Sequence, residues 1–320
     1  MKNNSSLHIA ISTDCNYIPH AATYMKSVID NNQNHFKDIH FHILANNLND
    51  NDIAIIKQNI SGDNIVITVY DISDIHSRLG VNVPPTISIS SYGRLFLASL
   101  VDSSVEKVIY SDIDAINTAT FSDLWSMDIE DHAIAGVLDD VSTVAKTNVG
   151  LSADAPYVNA GFILINLRYW REHGMEKRFL DFLWKHNGNV FHHDQGIINA
   201  VCNDSIKLLH PKYNMVSNFF TNKKFCIKPF HTPQQIEEGK SAPVFIHFTP
   251  GVVNRPWVRN CRHPYKNYYL KYRKMTTFDI SDMPYDNRPF RLRFLSFCYF
   301  NIPPLYRLVL TLRNKLSNKI

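Results

Sequence analysis

The first 112 residues alternate short β-branched runs with helical stretches, and this limits the fold more than any other feature of the chain. HIAIST (8–13), IHFHILA (39–45), NIVITVY (64–70) and KVIYSD (107–112) read as strands. Between them, IPHAATYMKSVIDNN (18–32) places Ala22, Met25 and Val28 near helical spacing. NDIAIIKQNI (51–60) and YGRLFLASLV (92–101) also read as helices. Strands joined by helices pair in parallel through right-handed crossovers, which leaves helices on both faces of the sheet. The expectation is an α/β fold with a Rossmann-like, mostly parallel central sheet. Ligands of such sheets sit beyond the carboxyl ends of the strands.

The second half is less regular. HAIAGVL (132–138), GFILINL (161–167) and APVFIHFTP (242–250) read as strands. RYWREHGMEKRFLDFLWKH (168–186) reads as one helix, and HDQGIINAVC (193–202) as another that opens on Asp194, where a carboxylate favours a helix N-terminus. There is no internal repeat, and Pro-bearing loops after Met275 mark the end of the body.

With 45% hydrophobic and 12% aromatic residues the chain is globular, and its 320 residues suit one large or two modest domains. Cys15, Cys202, Cys226, Cys261 and Cys298 lack CxxC spacing, so reduced thiols and a cytoplasmic setting are expected. MKNNSSLHIAIST lacks the apolar core of a signal peptide, and no run reaches the ~20 apolar residues that span a bilayer. The net charge is +4, yet residues 288–320 alone carry +7 with no acid, leaving a mildly acidic body.

The acids of VIYSDIDAI stand where the fourth strand should end. Residues i and i+2 of a strand share a face, so Asp112 and Asp114 aim two carboxylates at one spot. Two such acids repel unless a cation lies between them. Hard oxygen ligands suit Mg²⁺ or Mn²⁺, and a diphosphate is the usual further partner of the ion. D-x-D alone more often marks a solvated turn.

Six blocks, however, occur in one order: STDCNY (12–17), SYGRLFL (91–97), VIYSDIDAI (108–116), YVNAGFILINL (157–167), HDQGIIN (193–199) and IHFTPG with RPW (246–257). This set resembles glycosyltransferase family 8 over roughly residues 8–275. Those are retaining enzymes that include bacterial lipopolysaccharide galactosyl- and glucosyltransferases. The resemblance implies a GT-A fold, a UDP-hexose donor such as UDP-glucose or UDP-galactose, and a Mn²⁺ ion, with Mg²⁺ as substitute. It also implies a lipid-linked oligosaccharide acceptor.

Carried over by position, Asp112, Ile113 and Asp114 match the D-x-D segment at the metal, ribose and diphosphate. His247 matches the third metal ligand; apart from the family it would be a core histidine. Ser12, Thr13, Asp14 and Asn16 match the uridine loop, though the same residues make a simple strand-to-helix cap. Arg94 matches a basic residue that reaches the donor. Asn159, Ala160 and Gly161 match a segment that admits the sugar. Asp194 and Gln195 match the pair beside the anomeric carbon, and Asp139 or Asp140 an acid near the sugars. Gly251 and Arg255 match the loop that closes on the phosphates. The chain departs from the family at three points. Cys15 replaces a frequent second acid, the interval from His247 to Arg255 is about two residues longer, and arginine replaces lysine.

The resemblance therefore implies a retaining hexosyltransferase. Same-face attack with Gln195 stabilising the anomeric centre is the preferred route, and a covalent intermediate on Asp194 is the alternative. A metal-dependent nucleotidyltransferase or an inactive carbohydrate-binding protein on the same fold are the competing readings. Residues 1–275 would form the catalytic unit. Residues 276–320, basic and aromatic-rich, would associate with an anionic membrane at its inner face, although packing on the body is the plainer alternative. No nucleic-acid partner is expected, because the body is acidic.

Overall fold

Strand β1 (Leu7–Thr13) pairs in parallel along its whole length with β2 (Ile39–Ala45), which pairs likewise with β3 (Ile65–Asp71). This is a computed structural model, and it describes residues 5–84, 89–220 and 231–309. Strands β4 (Lys107–Ser111), β6 (Ile134–Leu138), β7 (Val158–Asn166) and β8 (Ile206–Leu208) complete a seven-stranded sheet of order β3-β2-β1-β4-β7-β6-β8. Strand β7 runs antiparallel to both neighbours; every other pair is parallel.

Strand alternation splits the apolar residues into two layers. Ile9, Ile11, Phe41 and Ile43 pack beneath Ala21, Met25 and Val28 of the helix Ile18–Asn32, while Ala10, Leu44, Tyr110 and Ile163 face the opposite core. Every residue of β7 is buried, as a strand near the middle of a sheet covered on both sides requires. A second sheet joins β5 (Ala115–Asn117), β9 (Met215–Val216) and β10 (Phe245–His247) in the order β5-β10-β9.

Two helix expectations need correction. Residues 168–186 form two helices, Leu167–Glu172 and Met175–Lys185. Gly174 between them has φ 57°, a left-handed conformation that stops an α-helix and that glycine adopts readily. The segment 92–101 is mostly a 3-10 helix, Ile89–Phe96, with a single α turn at Leu97–Leu100.

Beyond Met275 the chain first packs back on the body. Met283 is buried beside Trp257 and Val258, and Arg259 donates its backbone N–H to Pro284 at 2.9 Å. The helix Phe290–Asn301 comes next and leaves Phe290, Phe294 and Phe297 exposed. A further helical stretch occupies 303–309, beginning at the paired prolines. Arg313, Lys315, Lys319 and Cys226 lie outside the described residues; the other four cysteines are free thiols. Among the described residues no helix is long and apolar enough to cross a membrane.

Candidate active site

Asp112 and Asp114 lie just past β4, in a bend, so strand alternation is not what brings them together. Asp112 N–H donates to Gly161 O at 2.7 Å, which pins the bend to β7. β5 then pairs antiparallel with β10, setting Ala115 opposite His247. His247 Nε2 consequently lies 3.0 Å from Asp114 Oδ1 and 3.8 Å from Asp112 Oδ2. One ligand atom from each of the three residues lies within 4.8 Å of the others.

The environments differ in a useful way. Asp114 and His247 are buried, whereas the Asp112 side chain is 31% exposed and faces the opening. Burial pushes the Asp114 carboxyl up, but His247 and Arg255 outweigh it and hold the group at about 2. Burial likewise favours neutral His247, yet Asp114 and Asp112 raise its pKa above the usual value. Two anionic oxygens and an imidazole converging this way are a sound donor set for a Mn²⁺-class ion. Gly161 makes the room: a Cβ there would lie 2.3 Å from His247 Cε1 and 2.6 Å from Asp112 Oδ2. The residues present fit the ion.

Beside this cluster a cleft opens at the carboxyl ends of β1 and β4. Ser12, Thr13, Asp14, Ile113 and Asp114 line it, together with Tyr17, Ser90 and Tyr110. Ser12 Oγ donates to Ser90 O at 2.7 Å. Asp14 accepts the N–H of Asn16 at 2.9 Å and caps the short turn Cys15–Tyr17, so it has both the capping geometry and a place in the cleft wall. Asn16 itself is exposed.

Arg94 is not a free surface cation. It is 4% exposed, and its guanidinium reaches Asp112 Oδ1 at 3.0 Å and Asp194 Oδ2 at 2.9 Å. It also donates to Ala160 O and lies over the Tyr110 ring at 4.0 Å. Asp194, almost fully buried, takes a further bond from Ser91 Oγ at 2.9 Å. The pair therefore forms an internal strut between β4, β7 and the helix His193–Cys202.

Gln195 bonds the backbone of the same residue, Ala160, through the preceding peptide. Its Oε1 accepts Ala160 N–H at 3.0 Å, and its Nε2 donates to Asp139 Oδ2 at 3.0 Å. Asn159 Nδ2 donates to the same Asp139 oxygen at 3.0 Å, so Asp139 joins this network. The backbone entering the helix carries His192 and His193 at φ 58° and 55°, a conformation that costs about 1 kcal/mol or more per residue outside glycine.

Three contributors had little or no sequence signal. Asn214, fully buried beside β9, donates to Asn159 Oδ1 at 3.0 Å. Tyr110, the residue beneath Arg94, reads in sequence as a plain strand residue. Arg288 donates to Gly251 O at 2.7 Å and pairs with Asp286 at 2.8 Å. It thus ties the tail to the loop carrying Arg255, which itself contacts Asp114 Oδ2 at 2.9 Å.

A family model described as Glycosyl transferase family 8 matches residues 8–261. A protein of Haemophilus influenzae is 29% identical over 271 residues, 81% of this chain and 76% of its own length. A lipopolysaccharide 1,2-glucosyltransferase of Escherichia coli is 25% identical over 294 residues, 89% of this chain and 81% of that protein. Among solved structures, the galactosyltransferase LgtC in complex with donor and acceptor sugar analogues superposes with a TM-score of 0.72. It is 22% identical, and the match covers 85% of this chain and 97% of that one.

Proposed function

The chain belongs to glycosyl transferase family 8, and on that footing we propose a retaining hexosyltransferase that moves glucose or galactose from a UDP-sugar to a lipopolysaccharide-type, lipid-linked oligosaccharide. It is a nucleotide-sugar glycosyltransferase of GT-A fold. The observation that carries the finer reading is the convergence of Asp112, Asp114 and His247 on one point beside a polar cleft at the strand ends.

Asp112, Asp114 and His247 would hold a Mn²⁺ ion, with Mg²⁺ as substitute. Such an ion offsets the charge that develops on a leaving diphosphate. Ser12, Thr13, Asp14 and Ile113, which wall the cleft, bind uridine and ribose, together with exposed Asn16 between Asp14 and Tyr17. Arg255 supplies a cation to the phosphates from the loop that also carries Gly251, and closure of that loop excludes water. Arg94 acts through others, holding Asp112 and the Ala160 peptide in place.

In the reaction the bond from the anomeric carbon to the β-phosphate oxygen breaks and the acceptor oxygen bonds to the same carbon. The acceptor proton passes to the departing UDP. We place Gln195, oriented by Asp139, beside the anomeric centre, with Asn159 and Ala160 bordering the sugar. Asp194 is nearly fully buried and paired with Arg94, which favours same-face attack over a covalent adduct on that carboxylate.

We further propose that residues 276–320 hold the catalytic unit, 1–275, at the inner face of an anionic membrane, where a lipid-linked acceptor is found. Exposed Phe290, Phe294 and Phe297, interleaved with Arg291 and Arg293, support this. A donor screen tests the catalytic reading. Hydrolysis of UDP-glucose or UDP-galactose that requires Mn²⁺ is expected, and no hydrolysis of any UDP-hexose with Mn²⁺ present would refute it.

A further inference from the structure

Away from the cleft, at the starting ends of β1 and β2, three histidines share one face of the sheet. His8 is paired in register with His40, and His42 lies two residues further along the same strand, which keeps both β2 side chains on one side. The His40 and His42 rings stack at 4.2 Å, and His8 lies 5.2 and 5.3 Å from them.

The nitrogens are arranged in two sets. His40 Nε2 bonds Thr68 Oγ1 at 2.8 Å, and His42 Nδ1 bonds Tyr70 OH at 2.9 Å, both from β3. These are outward bonds of the kind that fix the tautomer and ring orientation of a metal-ligating histidine. His42 Nε2 is thereby turned toward His8 Nδ1, 3.0 Å away. Two imidazole nitrogens bound at about 2.05 Å to one tetrahedral ion would be about 3.3 Å apart. One nitrogen from each ring already lies within 4.8 Å of the other two.

We propose that His8, His40 and His42 form a second metal site, taking a zinc-class divalent ion on three imidazoles. An all-nitrogen set prefers Zn²⁺ or Cu²⁺ to the oxygen-loving Mn²⁺ of the cleft. The site is reachable, since His8 and His40 are partly exposed and neighbouring Val66 is 44% exposed. Burial also lowers the pKa of all three rings, which keeps them in the unprotonated form that ligates. The bound ion would cross-link β1 to β2 without touching the donor cleft.

Calorimetric titration of the full chain with Zn²⁺ tests the site, comparing the parent with a His8→Gln/His40→Gln variant. The variant should bind one equivalent fewer while keeping UDP binding and its far-ultraviolet spectrum. Equal stoichiometry in the two proteins would show that the histidines only stack and hydrogen-bond, and would overturn the proposal. If the variant does not fold, Cu²⁺ loaded on the parent answers the same question. Electron paramagnetic resonance should show hyperfine coupling to three nitrogens in one bound species. Coupling to a single nitrogen in every bound species, as the cleft with its one imidazole would give, would overturn it.

Discussion

Arg255 Nη2 lies 2.9 Å from Asp114 Oδ2, on the opposite side of that carboxylate from His247. Asp114 therefore sits between an imidazole and a guanidinium in a buried position, and the reach of Arg255 into the site is set by a loop that the tail holds at Gly251. On the proposed function this guanidinium exchanges the carboxylate for a donor phosphate. Arg255→Ala should lower donor turnover by about 10²-fold, the scale for losing one preorganised electrostatic group. Arg255→Lys should recover part of it, since charge remains but the bidentate fork is lost. Steady-state hydrolysis of the donor measures both, and an alanine variant at parental rate would remove Arg255 from the phosphates.

The two glycines of the site make a steric contrast. Gly161→Ala puts a methyl group 2.3 Å from His247 Cε1, whereas a methyl at Gly251 meets nothing within 4 Å. Gly161→Ala should lose Mn²⁺ binding and activity with the fold intact. Gly251→Ala should keep Mn²⁺ affinity within about threefold, its side chain being in open space. Calorimetric Mn²⁺ titrations of the two variants decide this; equal affinities would mean that His247 is not held against Gly161.

His263 gives the stability a pH dependence. Buried against Phe220 and Phe248, it is held at about 4 rather than 6.5. Between these values the unfolded chain binds the proton and the folded one does not, so stability falls as the pH falls. From this residue the loss is on the order of 3 kcal/mol across that window. Guanidinium unfolding at pH 7 and pH 4 should show a smaller drop for His263→Gln than for the parent; equal drops would exclude His263 as the cause.

Removing residues 290–320 leaves Arg288 and its bond to Gly251 in place. This truncation should keep UDP binding and lose sedimentation with anionic vesicles, each basic residue near such a surface contributing about 1 kcal/mol. Undiminished co-sedimentation at low and high salt would show that the helix Phe290–Asn301 and the residues C-terminal to it are not the anchor.

Much of the first half could be read from residue order. The runs at 8–13, 39–45, 64–70 and 107–112 match β1 to β4 to within a residue or so, because short runs of β-branched and other apolar residues mark strands strongly. The helix break at Gly174 is hidden in the sequence because one glycine inside a long apolar-periodic stretch is common. β10 falls within the run 242–250 that reads as a strand, but β5 and β9 are only three and two residues long, too short for periodicity, so the small sheet that sets His247 against Ala115 is not legible. For the same reason the sequence pattern puts Asp112 and Asp114 on a strand when a bend joins them. Arg94 shows the other limit: sequence offers its charge, but burial against Asp194 and Ala160 depends on residues far apart in the chain.

On the proposed function, Asp112, Asp114 and His247 hold a divalent cation on which the donor diphosphate depends. Calorimetric titration of UDP into the parent and Asp114→Asn, each with and without Mn²⁺, tests it most directly. The parent should bind UDP at least about tenfold more tightly with Mn²⁺, and Asp114→Asn should lose that dependence, having surrendered one charge of the paired site. Equal Mn²⁺-dependent tightening in the two proteins, or none in the parent, would contradict it.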